Sequence, residues 1–282
     1  MLDSKRPAWL AQRFRGGDAF TGMVDLLTDL GLNTVCQSAS CPNIGECFNA
    51  GTATFLILGS LCTRNCRFCA VPKGQPLPLD PNEPERIAQA VRVIGIRHTV
   101  ITSVTRDDLD DGGAEQFNRC ICLLHETVPD ITVEVLTPDF RGDKEALQAI
   151  LAAGPDVFNH NVETVPRLYP LVRPEADYNR SLGILSEAAR NIKVVKSGIM
   201  VGMGESEKEV QWAFSDLISA GVTALTIGQY LRPSPRQMDV VEYIPPDQFL
   251  SYEEAALAAG FKSVAAGPLV RSSYHAEQLY GN

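Results

Sequence analysis

From residue 50 onward, short β-branched runs alternate with helix-period patterns, and this order narrows the possible folds more than any other feature of the chain. The runs are TATFLILG (52–59), HTVITSV (98–104), ITVEVL (131–136), DVFNHN (156–161), KVVKSGIMVG (193–202) and VTALTIG (222–228). Between them, EPERIAQAVRVIG carries Pro84 near its start and Ile87, Val91 and Ile94 on one face. Asp143 is placed to cap KEALQAILAAG, which ends at Gly154. SEKEVQWAFSDLISAG sets Val210, Phe214, Leu217 and Ile218 on one stripe before Gly221. Strict strand–helix alternation implies a parallel sheet with right-handed crossovers.

Six such units fit into about 208 residues, 53–260, whereas a complete eightfold barrel takes about 250. The expected fold class is therefore α/β, a partial (β/α)6 TIM-like barrel over 51–260, flanked by an N-terminal extension (1–50) and a C-terminal extension (261–282). The first extension holds one helical pattern, DAFTGMVDLLTDLG. An open doubly wound sheet is the rival, but its dinucleotide fingerprint is missing: the nearest stretch, Gly202-Met-Gly204-Glu-Ser-Glu207, has Glu in place of the third glycine. No repeat beyond the βα period, low-complexity segment or Gly/Ser linker interrupts the chain.

At 282 residues, with 45% hydrophobic side chains, the chain can bury a sizeable core. A net charge of −9 argues against nucleic acid, whose non-specific binding needs clustered Lys and Arg. The opening MLDSKRPAWLAQRF lacks the apolar core of a secretory signal, and no apolar run is long enough to span a bilayer. The expectation is a soluble protein of the reducing cytoplasm.

Eight cysteines fit that compartment only if they do something other than form disulfides, the solution of small secreted domains. Cys120 lies on the helical stripe Phe117, Cys120, Ile121, Leu124, Val128 and is expected to pack in the core, with Cys122 off that stripe. The other six form two triads, Cys36-Cys41-Cys47 and Cys62-Cys66-Cys69. The second triad occupies one loop after the first strand, at CxxxCxxC spacing. Structural zinc wants four Cys or His ligands, and no histidine stands within 25 residues of this loop. Three thiolates on an iron–sulfur cluster leave one iron open to chelate a ligand and pass it an electron. Zinc remains the alternative, and it would argue for a non-enzymatic binding protein.

The motif Cys62-TRN-Cys66-Arg-Phe68-Cys69 just past a first strand resembles that of the radical S-adenosylmethionine superfamily. The resemblance implies a six-unit partial barrel, a 4Fe-4S cluster and reductive cleavage of S-adenosylmethionine to a hydrogen-abstracting 5′-deoxyadenosyl radical. It matches Phe68 to a ring near the adenine. Gly198-Ile-Met200-Val-Gly202-Met-Gly204-Glu205 is similar to the strand that flanks the adenine, although a core strand with a Gly turn would read the same. The upstream CxxxxCxxxxxC and the ending GPLVRSSYHA (267–276) narrow the resemblance to the lipoyl synthases. TSVTRDDLDDGGA (102–114), VFNHNVET (157–164), KSGIMVGMGE (196–205) and QYLRPS (229–234) extend it over nearly the whole chain.

That resemblance implies insertion of two sulfur atoms, at carbons 6 and 8 of an octanoyl group carried on a lysine of another protein. It gives Cys36, Cys41 and Cys47 an auxiliary, sulfur-donating 4Fe-4S cluster with Ser273 as fourth ligand; Ser272 is the alternative hydroxyl. The implied partners are octanoylated carrier domains, in 2-oxoacid dehydrogenase acyltransferase subunits and the glycine cleavage H protein, and an electron donor such as ferredoxin or flavodoxin. Other radical enzymes with an auxiliary cluster would place their extra cysteines elsewhere and lack RSSY. Catalytic groups gather at the C-terminal rim of such barrels, so Asn159, Asn161 and Glu163 after the fourth strand and Lys196 in the fifth are expected to line the S-adenosylmethionine or substrate pocket. Turn formation or helix capping is the plain alternative for them. Arg106, Asp107 and Asp108 either bind methionyl groups or solvate a loop, and His160 is expected to pack in the core or behind the lining residues rather than to act in catalysis.

Overall fold

The computed structural model of the chain describes residues 6–11 and 14–280, so residues 1–5, 12–13 and 281–282 of the two expected extensions lie outside it. Among the described residues eight strands form one sheet in sequence order: β1 (Asn33–Thr34), β2 (Thr54–Ile57), β3 (His98–Ser103), β4 (Thr132–Leu136), β5 (Val157–Asn159), β6 (Val194–Val201), β7 (Ala224–Gln229) and β8 (Ser263–Gly267). All six sequence runs are strands, β2 to β7, and each pairs in parallel with the next. Two strands come from outside those runs. β8 adds in parallel to β7, with Ala224 opposite Ser263, and the two-residue β1 pairs antiparallel with β2. The sheet stays open, with β1 and β8 as its edges.

The helices are α1 (Asp18–Asp29), α2 (Val35–Ser38), α3 (Ile44–Asn49), α4 (Glu83–Ile94), α5 (Ala114–Thr127), α6 (Lys144–Ala152), α7 (Tyr169–Val172), α8 (Tyr178–Ala188), α9 (Glu207–Ser219), α10 (Pro246–Ala259) and α11 (Ala276–Tyr280). Their ends obey local chemistry. Asp143 caps α6 by accepting from the N–H groups of Glu145 and Ala146. Ser206 and Glu209 form a reciprocal capping box on α9. Gly95 closes α4 in the left-handed conformation.

The apolar stripes face the sheet. Ile87 and Val91 of α4, Phe117, Cys120 and Leu124 of α5, Ile150 of α6 and Phe214 and Leu217 of α9 are essentially inaccessible and belong to one continuous core. Each such side chain contributes about 1.5–3 kcal/mol relative to exposure. Cys120 packs there as its spacing predicts, and Cys122 is exposed. Among the described residues no helix is long and apolar enough to cross a membrane.

Candidate functional site

β2 ends abruptly because Leu58 and Gly59 both take positive φ, 71° and 96°. A leucine there is strained, and buried partners hold it: its N–H donates to Glu83 (3.0 Å) and its carbonyl accepts from Arg106 (3.1 Å). Arg106 is itself buried and also grips Asp108, so its observed contacts are structural. The chain then loops out and returns beside itself, with Cys62 N–H on the Pro72 carbonyl and Gly74 N–H on the Cys62 carbonyl. Cys62, Cys66 and Cys69 lie in this loop, partly buried. Phe68 is half-buried and packs against the core.

Burial pushes the Cys69 thiol up to about 12, with Cys66 and Cys62 adding to the effect, so the three are neighbours. Cys66 is raised for the same first reason, offset by the nearby Arg173 guanidinium. Gln237 donates to the Cys69 carbonyl (3.1 Å) and Met238 N–H to the Arg67 carbonyl (3.0 Å), so the long connection after β7 straps this loop. From another side, Arg67 N–H donates to the Val172 carbonyl (2.9 Å), and Arg173 holds the carbonyl of Asn161 (3.0 Å).

The polar residues singled out on β5 and β6 meet in the barrel interior. Lys196 Nζ (2.9 Å) and Asn159 Nδ2 (3.1 Å) both donate to Oε1 of Glu134, while His98 lies 3.2 Å from Oε2. Glu134 is fully buried, and burial pushes its carboxyl up, but Lys196 and His98 together overcome burial and hold it below the usual range. The side-chain oxygens of Asn159 and Asn161 are buried without a hydrogen-bond partner. Asn161 donates to Glu163 (3.2 Å), whose backbone has a φ of 67° and bridges to β6. Burial raises the Glu163 carboxyl, opposed by Arg173, then by the Asn161 hydrogen bond and by Arg271.

Gly198 faces the same space: a Cβ there would lie 2.7 Å from Asn161 Oδ1 and 2.8 Å from Thr226 Oγ1. Met200, two residues on, is half-buried against the core. Gly202 has a φ of 96°, and a Cβ would strike Gln229 and the Glu242 carbonyl. Glu205 folds back onto the N–H groups of Gly202 and Met203, closing the Gly turn. His160 is a buried core residue: Nδ1–H donates to the Thr137 carbonyl (2.9 Å) and Nε2 lies 3.0 Å from Ser181, and burial pulls its pKa down to about 4.

The upstream triad sits on two short helices of the N-terminal extension, Cys36 in α2 and Cys47 in α3, with Cys41 in the turn between. Burial pushes Cys36 up to about 11 and Cys47 to about 12, with Cys36 and Cys41 acting on Cys47. The C-terminal segment reaches this triad across the open side of the sheet. The Val270 carbonyl lies so near Gly228 that an added Cβ would be 2.3 Å from it. From there, Asn43 donates to the Leu269 carbonyl (2.8 Å), Tyr274 to Glu46 (2.8 Å), and Thr54 to the Ser273 hydroxyl (2.8 Å). Thr54 also hydrogen-bonds Cys36. Arg271, half-buried, lies near Cys41.

These donor sets suit iron–sulfur groups. Burial raises the thiols of Cys36, Cys41, Cys47, Cys66 and Cys69, so their thiolates call for a neighbouring cation. In a multi-iron cluster each thiolate ligates its own iron, so three neighbouring cysteines can serve one cluster.

The model of the Radical SAM superfamily matches residues 56–217, from β2 into α9. Solved structures share the fold: SuiB from Streptococcus suis bound to S-adenosylmethionine (TM-score 0.59, 11% identity, 74% of this chain and 49% of that one) and methylornithine synthase PylB (0.54, 14%, 87% and 83%). A lipoyl synthase of Caldanaerobacter subterraneus is 56% identical over 97% of this chain and 96% of its own length. One from Caldicellulosiruptor saccharolyticus is 53% identical over 99% and 98%. The chain belongs to the lipoyl synthase family. As a lipoyl synthase it is a radical S-adenosylmethionine enzyme that inserts sulfur, and its partial barrel carries Cys62, Cys66 and Cys69 in the loop after β2.

Several residues of this candidate site carry little or no signal in the sequence. Glu134 is a lone acid in the apolar run ITVEVL, and an isolated charge in a buried strand was the signal that could have found it. Asp139, following β4 at the rim, could have been found by the position that singled out Asn159. Arg64, Thr54 and Arg173 carry no local signal; only their tertiary contacts mark them.

Proposed function

We propose that this chain builds the lipoyl group on octanoyl-lysine of a carrier protein, with the two thiol triads dividing the work. In this reading Cys62, Cys66 and Cys69 hold the cluster that binds S-adenosylmethionine, and Cys36, Cys41 and Cys47 with Ser273 hold the sulfur donor. Loaded, the two 4Fe-4S clusters and S-adenosylmethionine supply a hydrogen-abstracting radical and inorganic sulfide. The supporting observation is the Ser273 hydroxyl 2.8 Å from Thr54, the residue that also hydrogen-bonds Cys36. It favours Ser273 over Ser272 as the fourth ligand.

The chain's own part is to bind, orient and exclude water. Asn159 and Asn161 offer buried acceptor oxygens to donor groups of S-adenosylmethionine or substrate. Glu163 stands beside the first loop, and Lys196 acts through Glu134 by keeping Asn159 in place. Gly198 leaves room beside Asn161, while Phe68, Met200, Gly202 and Glu205 shape the adenine side. Of the extensions 1–50 and 261–282 around the barrel 51–260, β8 joins the barrel sheet, while residues 36–49 and 269–274 serve as one unit because their contacts to each other complete the donor site. The octanoyl lysine arrives on a separate carrier, either an acyltransferase subunit or a glycine cleavage H protein, and ferredoxin or flavodoxin supplies electrons.

The test is anaerobic incubation of reconstituted protein with an octanoyl-lysine peptide, S-adenosylmethionine and a strong reductant. Mass spectrometry should show one and then two added sulfurs; a peptide left unchanged while deoxyadenosine accumulates would reject the sulfur-insertion reading. A serine alkoxide is hard where thiolate is soft, so its iron should be the easiest to release. Ser273→Cys is therefore expected to retain a cluster and give less product, and undiminished turnover would refute the role given to that serine.

A further inference from the structure

We infer that Arg64 is a positioning residue that fixes the Cys62–Cys69 loop before iron is bound and offsets the carboxylates packed beside it. The inference rests on the reading of that loop as a cluster site. Arg64 stands between Cys62 and Cys66, yet its side chain is only 4% exposed, because it turns away from the thiols into the barrel rim. There it forms a fork on Asp107, Nε to Oδ2 at 2.6 Å and Nη2 to Oδ1 at 2.8 Å, and reaches Asp139 Oδ1 at 2.6 Å. Asp139 is wholly buried and also accepts from Arg180 (3.0 Å) and the Arg141 N–H (3.1 Å).

Around this fork the backbone is stitched as well. Thr63 N–H and hydroxyl donate to the Thr105 carbonyl (3.1 and 3.0 Å), and Asp107 N–H donates back to the Thr63 hydroxyl (3.0 Å). The Arg64 N–H lies 3.5 Å from Cys62 Sγ. The cysteine loop is thus clamped to the rims after β3 and β4 by bonds that need no metal. Two arginines and two aspartates sum to zero charge, so removing Arg64 alone leaves one uncompensated carboxylate near the cluster. A bidentate fork of this kind is beyond a lysine.

The experiment uses full-length protein with Cys36→Ala, Cys41→Ala and Cys47→Ala, so that only one cluster remains. Reconstituted parent should carry about four irons. In Arg64→Gln we expect iron to be lost to a chelator at least ~10-fold faster, at an unchanged far-ultraviolet spectrum, and the reduction potential to become more negative, because added negative charge disfavours the reduced cluster. Arg64→Lys should keep the parent potential but lose iron at an intermediate rate. Arg64→Gln with Asp107→Asn should restore the potential while iron loss stays fast. Parent-like iron retention and potential in Arg64→Gln would overturn the inference, and if that variant fails to fold, parent-like retention in Arg64→Lys would do so. A parent that binds no iron would overturn the cluster reading along with it.

Discussion

The two thiol triads are chemically alike and are held by opposite means. The loop of Cys62, Cys66 and Cys69 is fastened to its own barrel by the Arg64–Asp107–Asp139 ion pairs and by strap contacts from residues 172 and 238. The triad of Cys36, Cys41 and Cys47 has its short helices, but its surroundings are completed by residues more than 200 positions away: Leu269 on Asn43, Tyr274 on Glu46, Ser273 on Thr54. One triad is built into the barrel itself. The other is completed where residues 269–274 meet residues 43–54, so it can be loosened without unfolding the barrel, as the proposed division of labour calls for.

The widest separation should come from removing a thiol on each side. Cys62→Ala is expected to reduce deoxyadenosine formation below detection, whereas Cys36→Ala should retain it and lose only sulfur-bearing product. Chromatography of deoxyadenosine beside mass spectrometry of the peptide checks both, and deoxyadenosine formation equal to the parent's in Cys62→Ala would break the division of labour. Gly228→Ala should act on one side alone. Its Cβ would overlap the Val270 carbonyl, which must move at a cost of about 1–3 kcal/mol, taking Ser273 with it. Iron should fall from about eight to about four per chain while deoxyadenosine formation continues.

A smaller effect sharpens the contrast through pH. His160 is buried neutral in the barrel with its pKa drawn down to about 4, first by burial and then by the Arg173 charge. The unfolded chain takes up a proton near 6.5 that the folded barrel refuses until about 4. The His160 contribution is complete above pH 6.5 and is lost as pH falls toward 4, about 3 kcal/mol in all. His275, by contrast, is exposed in the C-terminal segment. The chemical-denaturation midpoint of the iron-free protein should fall across this window, and His160→Gln should flatten the fall; an identical slope in the variant would remove His160 as its cause.

The six central strands were legible because runs such as HTVITSV and VTALTIG are β-branched and sit between unmistakable amphipathic helices. β8 was not: SVAAG has a single β-branched residue and becomes a strand because the β7 edge beside it is unpaired. α10, rich in Ala and Glu, has no clear stripe, whereas α8 buries Tyr178, Ser181, Leu185 and Ala188 on one face, with the polar Ser181 interrupting its apolar pattern. At the site, both cysteine triads stood out by spacing alone. Lys196 was noticed and Glu134 was not, although neither is intelligible without the other: a buried ammonium and a buried carboxylate are tolerable only as a pair.

By itself, the sequence determined the βα order, the helix caps and the grouping of the thiols, because each depends on residues within a few positions of one another. Only the tertiary structure decided which distant charges neutralise each other inside the barrel, and that Thr54 lies beside Ser273. Those pairings depend on desolvation, whose cost is set by what else is packed around a group and not by its neighbours along the chain.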